Sequence, residues 1–311
     1  MEILKFIEQF RTPFLTTIFS LITRFGEEYA FLIFALFVMW CVNKKYGYCM
    51  LFCGIVGQTV NQFFKFTCKV ERPWVAYPDL NTVDSAISAA SGYSFPSGHT
   101  QIAVTTYGPI AYFYREKKSI FVLFTTLIFL ITFSRLYLGV HYLSDVLFSL
   151  FFGIILVLIV SKAFDKNINT DILRVITITL SGVLLLYFLF SISDPIEKEE
   201  LSALAFSAKF FGASLAFIIA WYVDENYINF TTKGSVLFQL FKLSIGGGGV
   251  ILLRTLLKSL FKALSINTFL GDGIRYFLMV AFAGVIWPYI FNKIYQKNNQ
   301  IDTNCEKNDN I

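Results

Sequence analysis

Residues 119–161 read SIFVLFTTLIFLITFSRLYLGVHYLSDVLFSLFFGIILVLIVS. Two long apolar runs, at 119–138 and 142–161, flank a short break that contains Gly139 and His141. Each run has the ~17 to 25 residues that an α-helix needs to cross the hydrocarbon core of a membrane. The stretch therefore predicts two consecutive membrane helices with ionisable side chains at their junction.

The composition of the whole chain also indicates a membrane protein. Hydrophobic residues make up 56% of the 311 residues and charged residues 15%, whereas about 25% of residues are charged in typical soluble domains. The net charge of +5 is spread over short loops, which argues against a nucleic-acid partner. The five cysteines have no zinc, redox or disulfide spacing. No metal or cofactor is therefore expected.

Apolar runs predict an all-α polytopic membrane bundle with nine candidate spans. They lie at 29–42, 47–64, 100–114, 119–138, 142–161, 172–193, 203–223, 235–257 and 274–295. Residues 1–27 alternate apolar and charged positions near their start and are predicted to form an interfacial segment. The polar tail at 296–311 is predicted to be a disordered cytoplasmic end.

Basic residues predict the orientation of the chain. Lysines and arginines cluster in three loops, at 44–45, 115–118 and 162–174, that fall on one side of the predicted spans. The positive-inside rule makes that side cytoplasmic. The loops at 65–99 and 135–141 fall on the other side, so any site they form should face away from the cytoplasm.

The first candidate motif in these loops is Lys65-x6-Arg72-Pro73. Seven residues are nearly two turns of a helix, so the spacing predicts both cations on one helix face, where they could hold two phosphate oxygens. The alternative is ordinary snorkelling of two long side chains at the end of a span.

The second motif, Pro96-Ser97-Gly98-His99, precedes an apolar run and is typical of a helix start. The unpaired N–H groups of a helix N-terminus bind anions, Ser97 adds a hydroxyl, and Gly98 allows close approach. His99 would stand beside the bound phosphate. The alternative is an ordinary capped helix that carries a histidine near its start.

The third motif is Ser134-Arg135-x5-His141-x3-Asp145. Four residues separate His141 from Asp145, so the carboxylate can accept the Nδ1 proton and leave Nε2 as a nucleophile. Arg135 lies across a predicted turn at Gly139 and could reach the same phosphate. The alternative is a histidine–aspartate pair that satisfies itself locally at the membrane edge.

Together the three motifs resemble, without departure, the signature of the type 2 phosphatidic acid phosphatase (PAP2) family, which includes vanadium haloperoxidases. The resemblance implies six core membrane helices, at about 29–193. It implies phosphate binding by the basic side chains, the serine hydroxyl and the glycine backbone: Lys65, Arg72, Ser97, Gly98 and Arg135. It further implies His141 as the nucleophile, Asp145 as its orienter, His99 as the general acid, and chemistry without a metal.

Four segments follow from this interpretation: an interfacial segment at 1–27, a catalytic membrane core at 28–195, a C-terminal membrane extension at 196–295 and the tail at 296–311. The extension resembles that of longer bacterial PAP2 members and adds about three membrane helices. Its four consecutive glycines, Gly246–Gly249, predict close helix packing.

The predicted function is hydrolysis of a lipid phosphate or diphosphate in the plasma membrane, with the site on the extracytoplasmic face. Three alternatives remain: a vanadate-dependent haloperoxidase, a phosphatase of a soluble sugar phosphate, and a non-catalytic lipid-phosphate binder. The sequence does not separate phosphatidic acid, phosphatidylglycerol phosphate, sphingoid phosphate and isoprenyl substrates such as undecaprenyl diphosphate. It leaves the oligomeric state open.

Overall fold

A computed structural model describes the backbone of residues 1–88, 90, 92–166, 169–191 and 198–308, and their side chains except at 88, 198 and 298–308. Within this part of the chain the structure is helical and has no β-strand, which confirms the all-α class. The helices are α1 (Glu2–Glu8), α2 (Pro13–Ile22), α3 (Glu28–Phe37), α4 (Lys44–Cys68), α5 (Pro73–Ala76), α6 (Asp84–Ser88), α7 (Gly98–Phe113), α8 (Lys118–Tyr137), α9 (Leu143–Asp165), α10 (Thr170–Phe190), α11 (Lys198–Val223), α12 (Val236–Ala263), α13 (Thr268–Ala281) and α14 (Trp287–Asn308). A 3₁₀ turn continues α2 at Thr23–Gly26, and π-helical turns follow α3, α11 and α13 at Val38–Val42, Asp224–Ile228 and Phe282–Ile286.

Length and apolar composition qualify six helical segments of the described chain as membrane spans. They are Lys118–Tyr137, Leu143–Asp165, Thr170–Phe190, Glu199–Ile228, Val236–Ala263 and Thr268–Lys297. A bent pair, Pro13–Gly26 and Glu28–Val42, passes the same criteria jointly with a bend of 56°. Counted as one broken span, the pair brings the total to seven, against the nine expected from the sequence. The chain is an integral membrane protein.

The difference arises at α4 and α7, which are helices in the predicted places. Helix α4 is too polar to qualify as a span, and α7, with 16 residues, is too short. Helix α7 packs against both α8 and α9. Its side chains Gln101, Thr105 and Thr106 are buried among these neighbours. Because protein rather than lipid surrounds this helix, it can carry polar residues that a lipid-facing span could not.

The chain forms two compact units. The first contains Met1–Ala35 and Tyr48–Leu173, and the second contains Leu36–Gly47 and most described residues after Leu173. These units describe packing, and the four segments predicted from the sequence stay predictions. The predicted boundary at 195/196 lies outside the described residues.

In the first unit, the predicted motif loops lie at the helix ends opposite the basic loop at 115–118 and the end of α9. Arg115, after α7, places Nη2 3.6 Å from Asp165 Oδ2 at the end of α9. At the other end, the amide of Ser97 before α7 donates to the carbonyl of Asp145 in the first turn of α9, over 3.2 Å. The three motifs are therefore gathered at one end of the antiparallel helices.

The N-terminal residues pack across this same end of α8. The Phe19 ring lies 4.5 Å from the ring of Tyr137, and the amide of Thr12 donates to the Tyr137 hydroxyl over 3.2 Å. Lys5 forms an ion pair with Asp79 at 2.6 Å. The interfacial location of residues 1–27 stays a prediction, but the segment is part of the unit that carries the motifs.

In the second unit, helix packing uses two of the four consecutive glycines. A Cβ on Gly246 would lie 2.2 Å from Trp287 Nε1, and one on Gly249 would lie 2.7 Å from the Phe282 ring. A Cβ on either of the two glycines between them would have nothing within 4 Å. The predicted close approach is therefore confirmed for the outer glycines of the run, which face a neighbouring helix.

The predicted disorder of the polar tail at 296–311 stays a prediction. Helix α14 continues to Asn308, and the last three residues of the chain lie outside the described part. Helical backbone bonding continues from the apolar start of α14 into the polar sequence, which has no proline or glycine to end it.

Candidate active site

His141 lies in the short connection between α8 and α9 and is held from both sides of its ring. Its Nε2 is 3.0 Å from Arg72 Nη1, and its Nδ1 is 3.2 Å from Asp145 Oδ2. An arginine nitrogen can only donate, so Nε2 accepts and the ring proton resides on Nδ1, where it faces the carboxylate. The ring is 2% exposed. This is the tautomer that the sequence predicts for a nucleophilic histidine.

A glycine turn brings His141 into this position. Gly139 has φ +78°, a backbone conformation that side-chain-bearing residues rarely adopt. A Cβ at this position would also lie 2.8 Å from Arg11 Nη2. The turn predicted at Gly139 is confirmed, and it reverses the chain between α8 and α9 within a few residues.

The Asp145 carboxylate is held by several donors besides His141. Its Oδ2 accepts from the Ser94 hydroxyl at 2.6 Å and from the backbone N–H of Tyr142 at 2.9 Å, and its Oδ1 accepts from the Ser144 hydroxyl at 3.3 Å. The bond to Tyr142 also caps the first turn of α9. A carboxylate with this many donors is fixed in one orientation and fixes the imidazole in turn.

Arg72 is anchored by backbone carbonyls as well as by His141. Its Nε donates to Gly92 O and its Nη1 donates to Val140 O, each over 3.0 Å. Burial lowers the pKa of the guanidinium to about 10, and the nearby Asp145 carboxylate opposes that shift. Arg72 therefore stays positively charged at neutral pH.

The prediction that Lys65 and Arg72 share one helix face is wrong. Helix α4 ends at Cys68, Lys69 has φ +48°, and Arg72 instead precedes the short helix α5. Lys65 is buried and its Nζ donates to Tyr93 O over 2.9 Å. The loop after α4 therefore folds back, and the two cations approach the site from different elements because Pro73 starts a new helix.

The second motif forms the start of α7 as predicted. Ser97 is the N-cap residue, and its Oγ accepts from the amide of Thr100 at 3.4 Å. Gly98 and His99 contribute the first N–H groups of the helix, which have no partner within it. His99 Nε2 is buried and has no hydrogen-bond partner among the described residues. It is thus a free ring nitrogen at the helix start.

Arg135 is almost fully buried at the end of α8. Its Nη1 donates to the Thr23 hydroxyl at 2.6 Å, while Nε and Nη2 have no partner within the described structure. Buried unpaired guanidinium donors are costly. The two free donors are therefore suited to an anion with several oxygens.

The protonation state of His141 is set by its burial and by the cations of the first and third motifs. Burial lowers the pKa of its imidazole well below the ordinary value of 6.5, and the positive charges of Arg72, Arg135 and Lys65 lower it further, with a smaller effect from His99. His141 is therefore neutral at pH 7, with a lone pair on Nε2. The arrangement combines a neutral imidazole, which has a lone pair on Nε2, with a concentration of positive charge.

Comparison with known families agrees with this geometry. The family model of the PAP2 superfamily matches residues 44–169, and that of the PAP2 superfamily phosphatase transmembrane extension matches residues 208–299. The chain is 34% identical over 140 residues to undecaprenyl-diphosphatase BcrC of Bacillus subtilis, a match that covers 42% of this chain and 68% of that relative. The chain belongs to the PAP2 superfamily.

Two further relatives are similar to parts of the chain. Phosphatidylglycerophosphatase B of Bacillus subtilis is 34% identical over 111 residues, which is 32% of this chain and 52% of that protein, so the chain spans about half of this relative's length. The crystal structure of a transmembrane PAP2 type phosphatidylglycerolphosphate phosphatase from Bacillus subtilis has 29% identity and a TM-score of 0.46, covering 54% of this chain and 85% of that one. Every predicted site residue lies within the PAP2 match.

Three polar residues beside the candidate site were not predicted from the sequence. Thr23 holds Arg135, Ser94 holds Asp145, and Asn61 lies one helical turn before Lys65 with a buried, unpartnered side chain. The sequence contains a signal for Asn61. It is a polar amide in an apolar helix, four residues before the motif lysine, and residues at this spacing lie on the same helix face. Thr23 has no such signal, since it is brought to the site only by the packing of the N-terminal segment.

Proposed function

We propose that this PAP2 protein hydrolyses a lipid phosphate or diphosphate through a phosphohistidine intermediate on His141. The observation that carries the proposal is the His141 ring, neutral and held between Asp145 and Arg72 amid buried cations. The relatives named for phosphatidylglycerophosphate and undecaprenyl diphosphate support a lipid substrate. So does the apolar surface of the helices around the site.

In the first half-reaction, Nε2 of His141 attacks phosphorus while the bond to the lipid oxygen breaks. Arg72 exchanges its hydrogen bond with Nε2 for one with a phosphoryl oxygen, and Arg135 and Lys65 stabilise the charge of the transition state. Burial and the positive charges of Arg135, Lys65 and Arg72 lower the pKa of His99, so His99 takes up a proton when the phosphoryl anion binds. It then gives this proton to the departing lipid oxygen. The products are the lipid alcohol, or the lipid monophosphate from a diphosphate, and a phosphorylated His141.

In the second half-reaction, water attacks the phosphohistidine. His99, which lost its proton in the first step, takes one from the water, and the bond between Nε2 and phosphorus breaks. Asp145 stabilises the positive imidazole of the intermediate through Nδ1–H throughout. Inorganic phosphate leaves, and both histidines return to their starting protonation states.

Phosphate release is expected to need no divalent metal, because Lys65, Arg72 and Arg135 supply the positive charge. Purified protein in detergent, treated with EDTA, should release phosphate from phosphatidylglycerol phosphate, phosphatidic acid or an isoprenyl diphosphate faster than from glucose 6-phosphate. A parallel assay of bromide oxidation, with vanadate, peroxide and bromide added to the same protein, tests the haloperoxidase alternative. Activity lost in EDTA and restored by one divalent ion, or bromide oxidation faster than phosphate release, would overturn the proposal.

We further propose that the site faces away from the cytoplasm in the plasma membrane. The basic loop after α7 and the end of α9 meet at the helix ends opposite the motifs, and basic loops are retained in the cytoplasm. The substrate would then be a lipid phosphate in the outer leaflet.

Cysteine labelling in intact cells should reveal this orientation. After the five native cysteines are replaced, Asp79→Cys on the motif side should react with an impermeant maleimide. Glu116→Cys on the basic side should react only after permeabilisation. Both positions carry exposed side chains, so access does not depend on unfolding. The reverse labelling pattern would place the site in the cytoplasm.

A further inference from the structure

Asn61 is a buried amide that the proposed mechanism leaves unused. It lies in α4 and is 2% exposed. Neither Nδ2 nor Oδ1 has a hydrogen-bond partner among the described residues. Leaving a buried amide unpaired is unfavourable, and the great majority of buried polar side chains in proteins have partners. A partner outside the protein's own atoms is therefore expected.

The position of Asn61 indicates what that partner is. Asn61 and Lys65 are four residues apart in α4, so both side chains lie on one face of the helix. Asn61 Oδ1 lies 3.9 Å from the point where a Cβ on Gly98 would stand. The amide is therefore directed at the first turn of α7, whose N–H groups form the anion-binding start of the helix.

The chemistry of the neighbourhood favours a phosphoryl group over a cation. Lys65 is the nearest motif residue along α4. Among the described residues, two donors of Arg135 and the Nε2 of His99 also have no hydrogen-bond partner. A cation would be repelled by this set, whereas an anion with several oxygens can accept from all the donors. The neutral amide adds no charge, so its contribution is to orient the oxygens for attack by His141.

We propose that Asn61 is a further substrate-binding residue. Its amide group turns by about 180°, which exchanges the places of Oδ1 and Nδ2, and Nδ2 then donates to a non-bridging oxygen of the phosphoryl group beside Gly98. The inference rests on the proposed function and adds one contact to it. The contact is made with the phosphoryl group and not with the lipid. It is therefore expected with every substrate and also with orthovanadate, which presents the same oxygens.

The test compares Asn61→Leu with Thr59→Val, a control on the same helix that also removes a buried, unpartnered polar atom but from another face. Asn61→Leu should lower kcat/KM for a lipid phosphate and weaken inhibition by orthovanadate, each about 10- to 100-fold. Its melting temperature without vanadate should be unchanged or higher, because an unpaired amide has been replaced by an apolar group. The rise in melting temperature caused by vanadate should shrink.

Thr59→Val should stay within about twofold of the original protein, since a hydroxyl on another face makes no such contact. Asn61→Asp should be worse than Asn61→Leu, because a carboxylate repels the phosphoryl oxygens. Unchanged vanadate affinity in Asn61→Leu, or a loss of activity that parallels a loss of stability, would overturn the inference. If the original protein releases no phosphate, the proposed function fails instead, and the vanadate melting shift still tests the contact.

Discussion

Replacing His141 with alanine is expected to reduce phosphate release to background and to abolish the covalent phosphoenzyme. No other side chain in the described site offers a neutral nucleophile fixed by a carboxylate: Nε2 faces the guanidinium of Arg72, and Nδ1 faces Asp145. Removing the nucleophile removes the first bond that forms in the reaction. The loss should therefore exceed that of any single phosphate contact.

The measurement is an alkaline SDS quench after mixing with phosphate-labelled lipid, followed by counting of protein-bound label. Label should be acid-labile and base-stable in the original protein, and absent in His141→Ala. His141→Gln is a second variant, since its amide can still bond to Arg72 and Asp145 and so preserves folding. His99→Ala should still accumulate label, but about 10²- to 10⁴-fold more slowly because only the general acid is lost. Label retained in either His141 variant would exclude it as the nucleophile.

Asp145→Asn is expected to fold normally and to lose about 10³- to 10⁴-fold in turnover. An amide oxygen in the place of Oδ2 can still accept from Ser94, Tyr142 and His141, so the hydrogen bonds that hold α9 and the loop are kept. The negative charge is lost, and with it the stabilisation of the positive imidazole in the intermediate. The defect should therefore appear in kcat with little change in melting temperature.

Ser144→Ala is the matched control for Asp145→Asn, because the Ser144 hydroxyl donates to Oδ1, at 3.3 Å, and not to the Oδ2 that faces His141. Its turnover should stay within a few-fold of the original protein. Rates of phosphoenzyme formation measured by rapid quench would compare the two variants. Near-normal turnover in Asp145→Asn would mean that His141 is oriented by another group.

Predictability from the sequence differs between the three motifs. His141 and Asp145 are four residues apart, and their contact could be predicted because local spacing restricts where the side chains can reach. The start of α7 at Gly98 was also predictable, since a helix N-terminus has local signals. The shared helix face of Lys65 and Arg72 was predicted wrongly. Their separation suits a helix, but the chain leaves the helix at Cys68.

The sequence by itself determined the helical membrane class, the places of the helices, the order of the motifs and the family to which they belong. Each depends on composition or on residues close together in the chain. Only the tertiary structure decided that Thr23 contacts Arg135, 112 residues away in the chain. The same holds for the contact of Ser94 with Asp145, 51 residues away. It also decided that α7 is enclosed by other helices and that Asn61 faces Gly98. The physical reason is that such contacts follow from how helices pack against one another, and a periodic apolar pattern specifies a buried face without specifying its partner.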